Sequence, residues 1–381
     1  MNRLSRMFRS RLSVICLLTA SSASAVDSIW VGGLSGDWTV AGNWSAGIPQ
    51  AAGDTATINT SAAITVPSSI TLKTLTVTAP ATITVASGAT LAFSNSGGDV
   101  LIASAALTID GEGSLTFSRN GTSTTDFANL KPAAGVTVTL DARIIDASGA
   151  GIELNAAGTV LLTHPDNSFT GIAIVSAANG TIAFSHPGAL GLAAMRFHGS
   201  PSRFVYTGSS SATLTLPVQI TAGNATFENA GGDTLTLGGL ISPVSSGNKT
   251  LTFSGAGRTT AVSGSLANGA GVLNVVSGSG TLLLSGAATN SSLTVNNAAT
   301  LAVDAGALFQ NVSLTNNAGS ALVLNPSLGD GYTALLPNST VLNGAGVRIV
   351  LPAAATASTV TLPNLIRANT LSSLDIEAVS L

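Results

Sequence analysis

Short runs of alternating residues, repeated over more than 300 positions, constrain the fold of this chain more than any other feature. Apolar residues stand at every second position, often with Thr between them, as in Ala63–Val66, Thr74–Thr78 and Ser292–Val295. A period of two predicts β-strands with one buried and one exposed face. The runs end at Gly, Asn or Pro, which are turn residues. The pattern predicts an all-β protein.

The spacing of these runs, roughly 8 to 12 residues, fits a sandwich, a barrel or a solenoid. Two observations favour the solenoid. The pattern continues without a linker for longer than one sandwich, and Asn pairs follow two of the runs, at Asn296-Asn297 and Asn316-Asn317. Stacked amide side chains can form ladders along a β-helix. We therefore predict a single-stranded parallel β-helix (β-solenoid) over residues 63–381, preceded by an N-terminal cap at 26–62.

An internal repeat supports stacked units. The pattern F-x-N-x-G-G-D-x-L occurs at Phe93–Leu101 and again at Phe227–Leu235. Each copy is followed by a Leu-Thr-Phe-Ser run, whose Phe lies 24 residues after Phe93 in one case and 26 residues after Phe227 in the other. Repeats of 20 to 50 residues are typical of solenoids, in which each unit buries its apolar face on the next.

The first 25 residues are predicted to be a secretory signal peptide. Four Arg precede a short apolar stretch, Leu12–Ala20, and Ala23–Ala25 forms an A-x-A cleavage site with Val26 as the new N-terminus. A membrane anchor is the alternative, but about nine apolar residues are too few to span a bilayer. The single cysteine, Cys16, lies in this segment, so the mature chain is expected to be secreted or at the cell surface without disulfides.

The charge balance excludes one class of partner. After removal of the leader, ten basic residues remain against 17 acidic residues, a net charge of −7. Nucleic-acid binding needs clustered Lys and Arg, and the chain has no basic run. No later stretch has the 18 apolar residues of a membrane helix. The expected partner is an extracellular or cell-surface polysaccharide, or another cell.

A second motif carries a family resemblance. It consists of a strand, an N-x-aromatic-x-G turn, two further strands and an A-L-G end. This order closely resembles the autotransporter-associated β-strand repeat of bacterial passenger regions. The resemblance implies a right-handed parallel β-helix on or outside the cell, with no catalytic residue because the motif is structural. The parts of the motif are Gly158–Thr163, Asn167–Gly171, Ile174-Val175, Asn179–Ile182 and Gly188–Gly191, with a degenerate copy from Gly280 to Gly286.

The resemblance does not extend to the C-terminal transmembrane barrel of autotransporters, whose strands are long and flanked by aromatic girdles. This chain has only two Tyr, Tyr206 and Tyr332, and no terminal aromatic residue. We expect another export route, a barrel located elsewhere, or a truncated reading frame.

All three Trp residues, Trp30, Trp38 and Trp44, lie near the predicted mature N-terminus. Their segment resembles the opening segment of large secreted repeat proteins of the same type. The open end of a solenoid exposes apolar core and unpaired strand edges, so a bulky cap is needed. We predict that these residues form the cap. The alternative is a carbohydrate-binding module in which the indole faces contact glycans.

Two histidines raise the question of a metal site. His164 and His186 each precede a proline, lie 22 residues apart and are expected to occupy matching positions in neighbouring coils. Together with Asp166 they have the chemistry of metal ligands. Turn residues before prolines are the simpler interpretation, and we predict no metal and no cofactor.

Candidate catalytic groups are sparse. Asp141 and Asp146 flank Arg143. Of the groups in the sequence, this one is most similar to the carboxylates and base of a polysaccharide lyase or hydrolase. The Thr runs also suggest ordered water and ice binding, although Thr is simply a good strand residue. The leading prediction is a non-catalytic structural or adhesive surface protein. A polysaccharide-acting β-helix enzyme and a carbohydrate-binding module are the alternatives.

Overall fold

The computed structural model describes residues 24–94, 98–117, 127–146, 149–192, 194–304, 307–324, 333–335, 339–352, 359–361, 364–368 and 370–379. Within them the chain forms a parallel β-solenoid. Strands that neighbour each other in a sheet come from successive turns and run parallel. Helix is limited, in these residues, to two short 3-10 segments, Ala41–Asn43 and Pro187–Leu190. The predicted all-β solenoid is confirmed.

Face 1 is a parallel sheet of 13 strands within the described residues. Its strands are short because each turn of the chain contributes only one straight segment before the next corner. They are Asp27–Ile29, Thr55–Ile58, Thr74–Val77, Asp99–Ala103, Phe127–Pro132, Gly151–Leu154, Ala173–Val175, Met195–Phe197, Val218–Ile220, Ile241–Pro243, Leu266–Ala267, Ala287–Thr289 and Leu308–Phe309.

Face 2 is the longest sheet, with 15 strands in the described part of the chain. It runs from the N-terminal cap nearly to the last described residues. Its strands are Ser35–Asp37, Ala62–Val66, Ala81–Val85, Leu107–Asp110, Thr137–Leu140, Thr159–Leu162, Thr181–Phe184, Ser202–Tyr206, Asn224–Asn229, Asn248–Ser254, Val272–Ser277, Ser292–Val295, Ser313–Asn317, Ser339–Asn343 and Leu365–Arg367.

Face 3 is divided into two sheets of four and eight strands among the residues described. Between them, over the turns from Gly151 to Gly191, corner motifs take the place of a third strand. The first sheet holds Ile70–Leu72, Thr90–Phe93, Ser114–Phe117 and Arg143–Asp146. The second holds Ala212–Leu214, Thr234–Leu237, Thr259–Val262, Thr281–Leu284, Thr300–Val303, Ala321–Leu324, Val347–Pro352 and Leu374–Val379. Thr333–Leu335 pairs separately with Thr359–Thr361.

The interior is built from columns of equivalent residues. On face 2, Ile64, Ile83, Ile109, Leu140 and Leu162 follow one another in register, and each is buried. Every second residue of these strands points inwards, as the alternating sequence requires. Full burial of such a side chain stabilises the fold by about 1.5–3 kcal/mol. The apolar half of the alternation therefore supplies the core.

Aromatic side chains continue the same columns in the middle of the solenoid. Phe184 lies 5.4 Å from Tyr206, measured between ring centroids, and both side chains are buried. Phe227 packs between Phe184 and Phe253 at 6.3 and 6.5 Å. These separations lie in the range favoured by aromatic pairs. The larger side chains thus stack from turn to turn through the interior.

The F-x-N-x-G-G-D-x-L repeat has the predicted period but not an equivalent position. Phe93 pairs in register with Phe117, and Phe227 pairs with Phe253, so each interval is one turn. The first copy lies at the end of a face 3 strand, whereas the second lies on face 2. Both copies place a buried Phe on a strand; the residues 95–97 of the first copy lie outside the described residues, and in the second copy the glycines follow the strand Asn224–Asn229. Such a unit fits more than one corner of the coil, so it does not specify a face.

Paired strands of the solenoid already occur before residue 63, within the segment predicted as the cap. Asp27–Ile29 already pairs with Thr55–Ile58, and Ser35–Asp37 pairs with the Ala62–Val66 strand. The segment predicted as a cap, 26–62, therefore contributes the first strands of faces 1 and 2. The cap proper is the loop between the strands Ser35–Asp37 and Thr55–Ile58 together with the Trp residues that pack on it.

Candidate functional site

The three Trp side chains pack together over the N-terminal end of the solenoid. The ring centroids of Trp30 and Trp44 are 5.2 Å apart with an interplanar angle of 82°, and those of Trp38 and Trp44 are 4.6 Å apart. Trp30 and Trp44 also form an isolated antiparallel bridge. Gly32 lies so close to Trp30 that a Cβ atom there would approach Cζ2 to 2.6 Å. The cluster is a compact aromatic layer.

Each indole is buried and satisfies its N–H group inside the cap. Trp38 Nε1 donates to the carbonyl oxygen of Pro49 at 2.8 Å, Trp44 Nε1 to that of Trp38 at 2.7 Å, and Trp30 Nε1 to that of Gly33 at 2.9 Å. No more than 4% of any of the three residues is exposed. A sugar-stacking platform needs an accessible ring face. This placement favours the cap role and leaves no exposed indole face for glycan contact.

Asp54 is the polar centre of the same cap. Its Oδ1 accepts a hydrogen bond from Val26 N at 2.8 Å, and its Oδ2 accepts from Gln50 N and Ala51 N at 2.9 Å each. Burial by itself would raise the pKa of this carboxyl group, but the three N–H donors outweigh it, and the pKa lies below its ordinary value of 3.8. Asp54 therefore ties the start of the first strand to the loop that closes the cap.

An open apolar groove lies beside the cap. Leu34 is 80% exposed, and Ile29, Val31 and Val40 also expose much of their surface. A groove of about 420 Å³ is lined in part by Trp30, Val31 and Leu34, and a second of about 380 Å³ shares Leu34 with it and continues along face 2. Their linings are apolar or hydroxyl-bearing, with one amide at Asn59 and no ionisable side chain, which suits contact with a surface better than acid–base chemistry.

The N-x-aromatic-x-G turn is an inter-coil connection. Asn167 is 5% exposed; its Oδ1 accepts from Ile144 N at 2.7 Å in the preceding turn, and its Nδ2 donates to the carbonyl oxygen of Ala189 at 2.8 Å in the following turn. Phe169, two residues on, fills the interior. One side chain thus joins three successive turns where face 3 has no strand.

The glycines of this motif are required by close backbone approach. A Cβ atom on Gly171 would lie 2.0 Å from Gly151 N, and one on Gly191 would lie 2.5 Å from the carbonyl oxygen of Phe169. Gly191 also has a φ of +67°, in the region that favours glycine. The turn and the A-L-G end therefore fit together as parts of one structural unit.

The two histidines behave as turn residues. The strand residues Leu162 and Phe184 are paired, which puts His164 and His186 at equivalent positions in adjacent turns, as predicted. His164 Nδ1 accepts from Asp166 N, and His186 Nδ1 accepts from Gly188 N, both at 3.1 Å. In the part of the chain that the structure describes, no group of three or more His, Cys, Asp or Glu side chains lies together in the manner of metal ligands.

Two of the residues considered for polysaccharide chemistry, Asp141 and Arg143, make inter-coil contacts. Arg143 Nε donates to the carbonyl oxygen of Asp166 at 2.9 Å, and Thr163 Oγ1 donates to Asp141. The side chain of Asp146 lies outside the described residues. Arg143 and Asp141 each contact a residue of the next turn. These side chains therefore help to hold neighbouring turns together.

The outward half of the alternation forms polar columns. On face 2, Thr137, Thr159 and Thr181 are equivalent residues of three successive turns, and Thr226 and Thr252 continue the column beyond Arg203. A neighbouring column contains Asn224, Thr250, Asn274, Ser292 and Ser313. Hydroxyl and amide groups therefore repeat at the strand spacing of about 4.8 Å.

The sequence did not reveal the contacts of two residues that hold the structure together, Asp54 and Asn167. Asp54 stands in a Gly-Asp-Thr-Ala run just before a strand, where a carboxylate often accepts from nearby backbone N–H groups. Asn167 was noticed as part of a motif, but its two inter-coil hydrogen bonds required the positions of the adjacent turns. The Asn of N-x-aromatic-x-G was the available signal.

The fold defines the chain as a parallel β-solenoid protein with a tryptophan cap. The chain matches no protein-family model, and neither the curated proteins nor the solved structures contain a match to it. The autotransporter-associated resemblance thus rests on the motif residues alone. Across the described residues there is no helix with the length and hydropathy of a membrane span.

Proposed function

We propose that the mature chain is an exported, non-catalytic structural protein that acts as a rod at the cell surface, of the autotransporter-passenger type. The observation that carries the proposal is the stacking of parallel strands from successive turns, 15 of them on face 2 of the described residues, with polar columns on the outside. With about 4.8 Å between neighbouring strands, these 15 strands extend over roughly 67 Å. A rod of this kind presents a long lateral surface.

The composition of that surface supports an adhesive role. Only 8% of the residues of the chain are charged, and the outward positions of face 2 carry mainly Thr, Ser and Asn. Such side chains donate and accept hydrogen bonds without a strong electrostatic field. A surface of this chemistry suits neutral polysaccharide or the polar surface of another cell, and it is poorly suited to nucleic acid.

The grooves of the described residues support a non-catalytic role. A glycoside hydrolase places two carboxyl groups on either side of the bond that it breaks, and a lyase needs a base beside the acidic sugar. The two grooves beside the cap are lined by apolar, hydroxyl and amide groups, and a third, of about 360 Å³ near Leu342 and Leu374, contains Arg367. These linings suit binding more than bond cleavage.

Export and display are tested on intact cells. The full chain is expressed with its own leader, and surface exposure is measured by antibody labelling and by added protease; a chain that lacks residues 1–25 is the control. We expect labelling of intact cells with the full chain only. Retention of the full chain inside the cell would contradict the proposal.

Adhesion and catalysis are tested on the purified chain of residues 26–381. It is applied to a glycan array and incubated with a panel of polysaccharides, and product release is followed by reducing-end assay and by absorbance of unsaturated sugars. We expect binding without turnover. Depolymerisation of any polysaccharide would replace the structural role with the enzymatic one.

A further inference from the structure

We infer that cleavage after Ala25 creates the charged partner of a buried carboxylate: the new α-ammonium group of Val26 pairs with Asp54 and locks the N-terminal cap. The inference rests on the export leader of the proposed function. It adds a structural consequence of processing, namely that the mature N-terminus is itself a component of the cap.

The backbone contacts of Val26 support this inference. Val26 N lies 2.8 Å from Asp54 Oδ1, and the carbonyl oxygen of Val26 accepts from Thr55 N at 2.8 Å. Ala25 is exposed, Val26 is half-buried, and Ser28 is buried. The predicted cleavage site therefore lies directly before the first of the described residues that is hydrogen-bonded into the sheet.

The donors that surround the Asp54 carboxylate in the unprocessed chain are neutral. The residue is only 4% exposed, and the groups that donate to it are backbone N–H groups of Val26, Gln50 and Ala51. The side-chain ion pairs of the described residues involve other carboxylates. A charged donor makes a stronger hydrogen bond to a carboxylate than a neutral donor does, so an ammonium group at Val26 adds to the stabilisation that the three N–H groups already provide. The nitrogen of Val26 is already in place to become that cation.

The chemical step is a peptide hydrolysis catalysed by a signal peptidase. Water adds its hydroxyl to the carbonyl carbon of Ala25, the bond between that carbon and Val26 N breaks, and the nitrogen receives the remaining proton. At neutral pH the free amine takes up one more proton from solvent, since α-amino groups ordinarily have a pKa of about 7.7–8.0. A neutral amide donor thereby becomes an ammonium group that donates to the same carboxylate oxygen.

The neighbouring charges do not replace this pair. Asp27, the next residue, accepts a hydrogen bond from Thr55 Oγ1 at 2.5 Å. Lys73 donates its backbone N–H to the carbonyl oxygen of Asp54 at 2.7 Å, and the residue is exposed. The charged residues on the segments packed around Val26 are Asp27, Asp54 and Lys73. Of these, Asp54 is hydrogen-bonded to the Val26 nitrogen.

The test compares two purified chains, one that begins at Val26 and one that begins at Ser24, each with and without the Asp54→Asn substitution. Both chains are released from a tag by a protease that leaves no extra residue. The three Trp residues of the chain all lie in the cap, so urea unfolding followed by Trp fluorescence reports on this region. The two added residues are exposed, so their effect comes mainly from moving the charge away from Asp54.

At pH 6.5 we expect the equilibrium constant for opening of the cap to be about tenfold smaller in the Val26 chain than in the Ser24 chain. A difference of this size is expected when a charged donor replaces a neutral one. Asp54→Asn should abolish the difference. The advantage of the Val26 chain should also disappear as the pH rises above the pKa of its amine, whereas the Ser24 chain should change little between pH 6.5 and 10.

Equal unfolding midpoints of the two wild-type chains at pH 6.5 would overturn the inference, as would a difference that persists in Asp54→Asn or at pH 10. The pH comparison uses wild-type chains only, so it decides the matter even when the Asn variant does not fold. N-terminal sequencing of the exported protein should give Val26, and any other residue would overturn the inference. Failure of adhesion or display alone would affect only the proposed function.

Discussion

The side-chain amide of Asn317 donates a hydrogen bond from Nδ2 to Oδ1 of Asn296, one turn earlier, over 3.1 Å. Asn343, one turn later, in turn donates its Nδ2 to Oδ1 of Asn317 at 2.9 Å. These amides form a ladder at the end of the face 2 strands, as the Asn pairs in the sequence predicted. The turns are therefore joined by side chains as well as by backbone hydrogen bonds.

Replacement of Asn317 by Ala should destabilise this part of the solenoid. Two hydrogen bonds of the ladder are lost, and each contributes about 0.5–1.5 kcal/mol, so we expect a loss of about 1–3 kcal/mol. Hydrogen exchange of the 313–343 peptides measures the local opening, which suits an array that opens in parts. Asn59→Ala, at an exposed position, is the matched control. Unchanged exchange in Asn317→Ala would show that the ladder carries no stability.

Replacement of Asn167 by Ala should have a larger effect because the residue is buried. The substitution leaves the N–H of Ile144 and the carbonyl of Ala189 without their partner, and each such loss costs about 1–3 kcal/mol. We expect a total loss of about 2–6 kcal/mol in chemical denaturation followed by circular dichroism.

Asn167→Asp separates the two contacts, since it retains the oxygen that accepts from Ile144 and places a carboxylate against the Ala189 carbonyl. We expect it to be at least as destabilising as the Ala variant at pH 7 and to recover part of the stability at acidic pH. A midpoint for Asn167→Ala equal to that of the wild type would contradict the inter-coil role of this side chain.

Replacement of Trp44 by Ala should open the cap. Its indole contacts both other Trp rings and is buried, and removal of such a side chain costs about 3–5 kcal/mol. The measurement is urea unfolding followed by the fluorescence of Trp30 and Trp38. Leu34→Ala, at a position 80% exposed, should change stability by less than about 0.5 kcal/mol. A Trp44→Ala protein that keeps its stability but loses glycan binding would restore the binding-platform interpretation.

The cap should lose stability in acid through Asp54. Its pKa is lower in the folded chain than its ordinary value of 3.8, so the ionised form stabilises the fold at pH values above about 4. That contribution is lost as the pH falls through the lower, folded-state pKa. Asp54→Asn should remove this dependence and cost about 1–3 kcal/mol at pH 6.5, because an amide cannot accept at both oxygen positions.

Trp fluorescence in urea at a series of pH values between 2 and 6.5 measures this effect. Asp27→Asn, which changes an exposed carboxylate on the neighbouring strand Asp27–Ile29, is the control for general acid effects. Identical acid profiles for the wild type and Asp54→Asn would contradict the assigned role of Asp54.

Much of the fold was predictable because it depends on local physics. A strand such as Ser292–Val295 is readable from its alternation, since the side-chain period of a β-strand is a property of the backbone. The interval between Phe93 and Phe117 gave the length of a turn correctly, because equivalent residues stack in register. The matched positions of His164 and His186 followed in the same way.

The sequence by itself determined the strands, their inward and outward faces and the length of a turn. The tertiary structure alone decided which side of the coil each strand occupies, so that Phe93 lies on face 3 and Phe227 on face 2. It also decided that the indoles of Trp30, Trp38 and Trp44 are covered and that Asp54 meets Val26. The reason is physical: alternation is set by each residue and its neighbours, whereas burial and hydrogen-bond partners depend on segments that only the folded corners bring together.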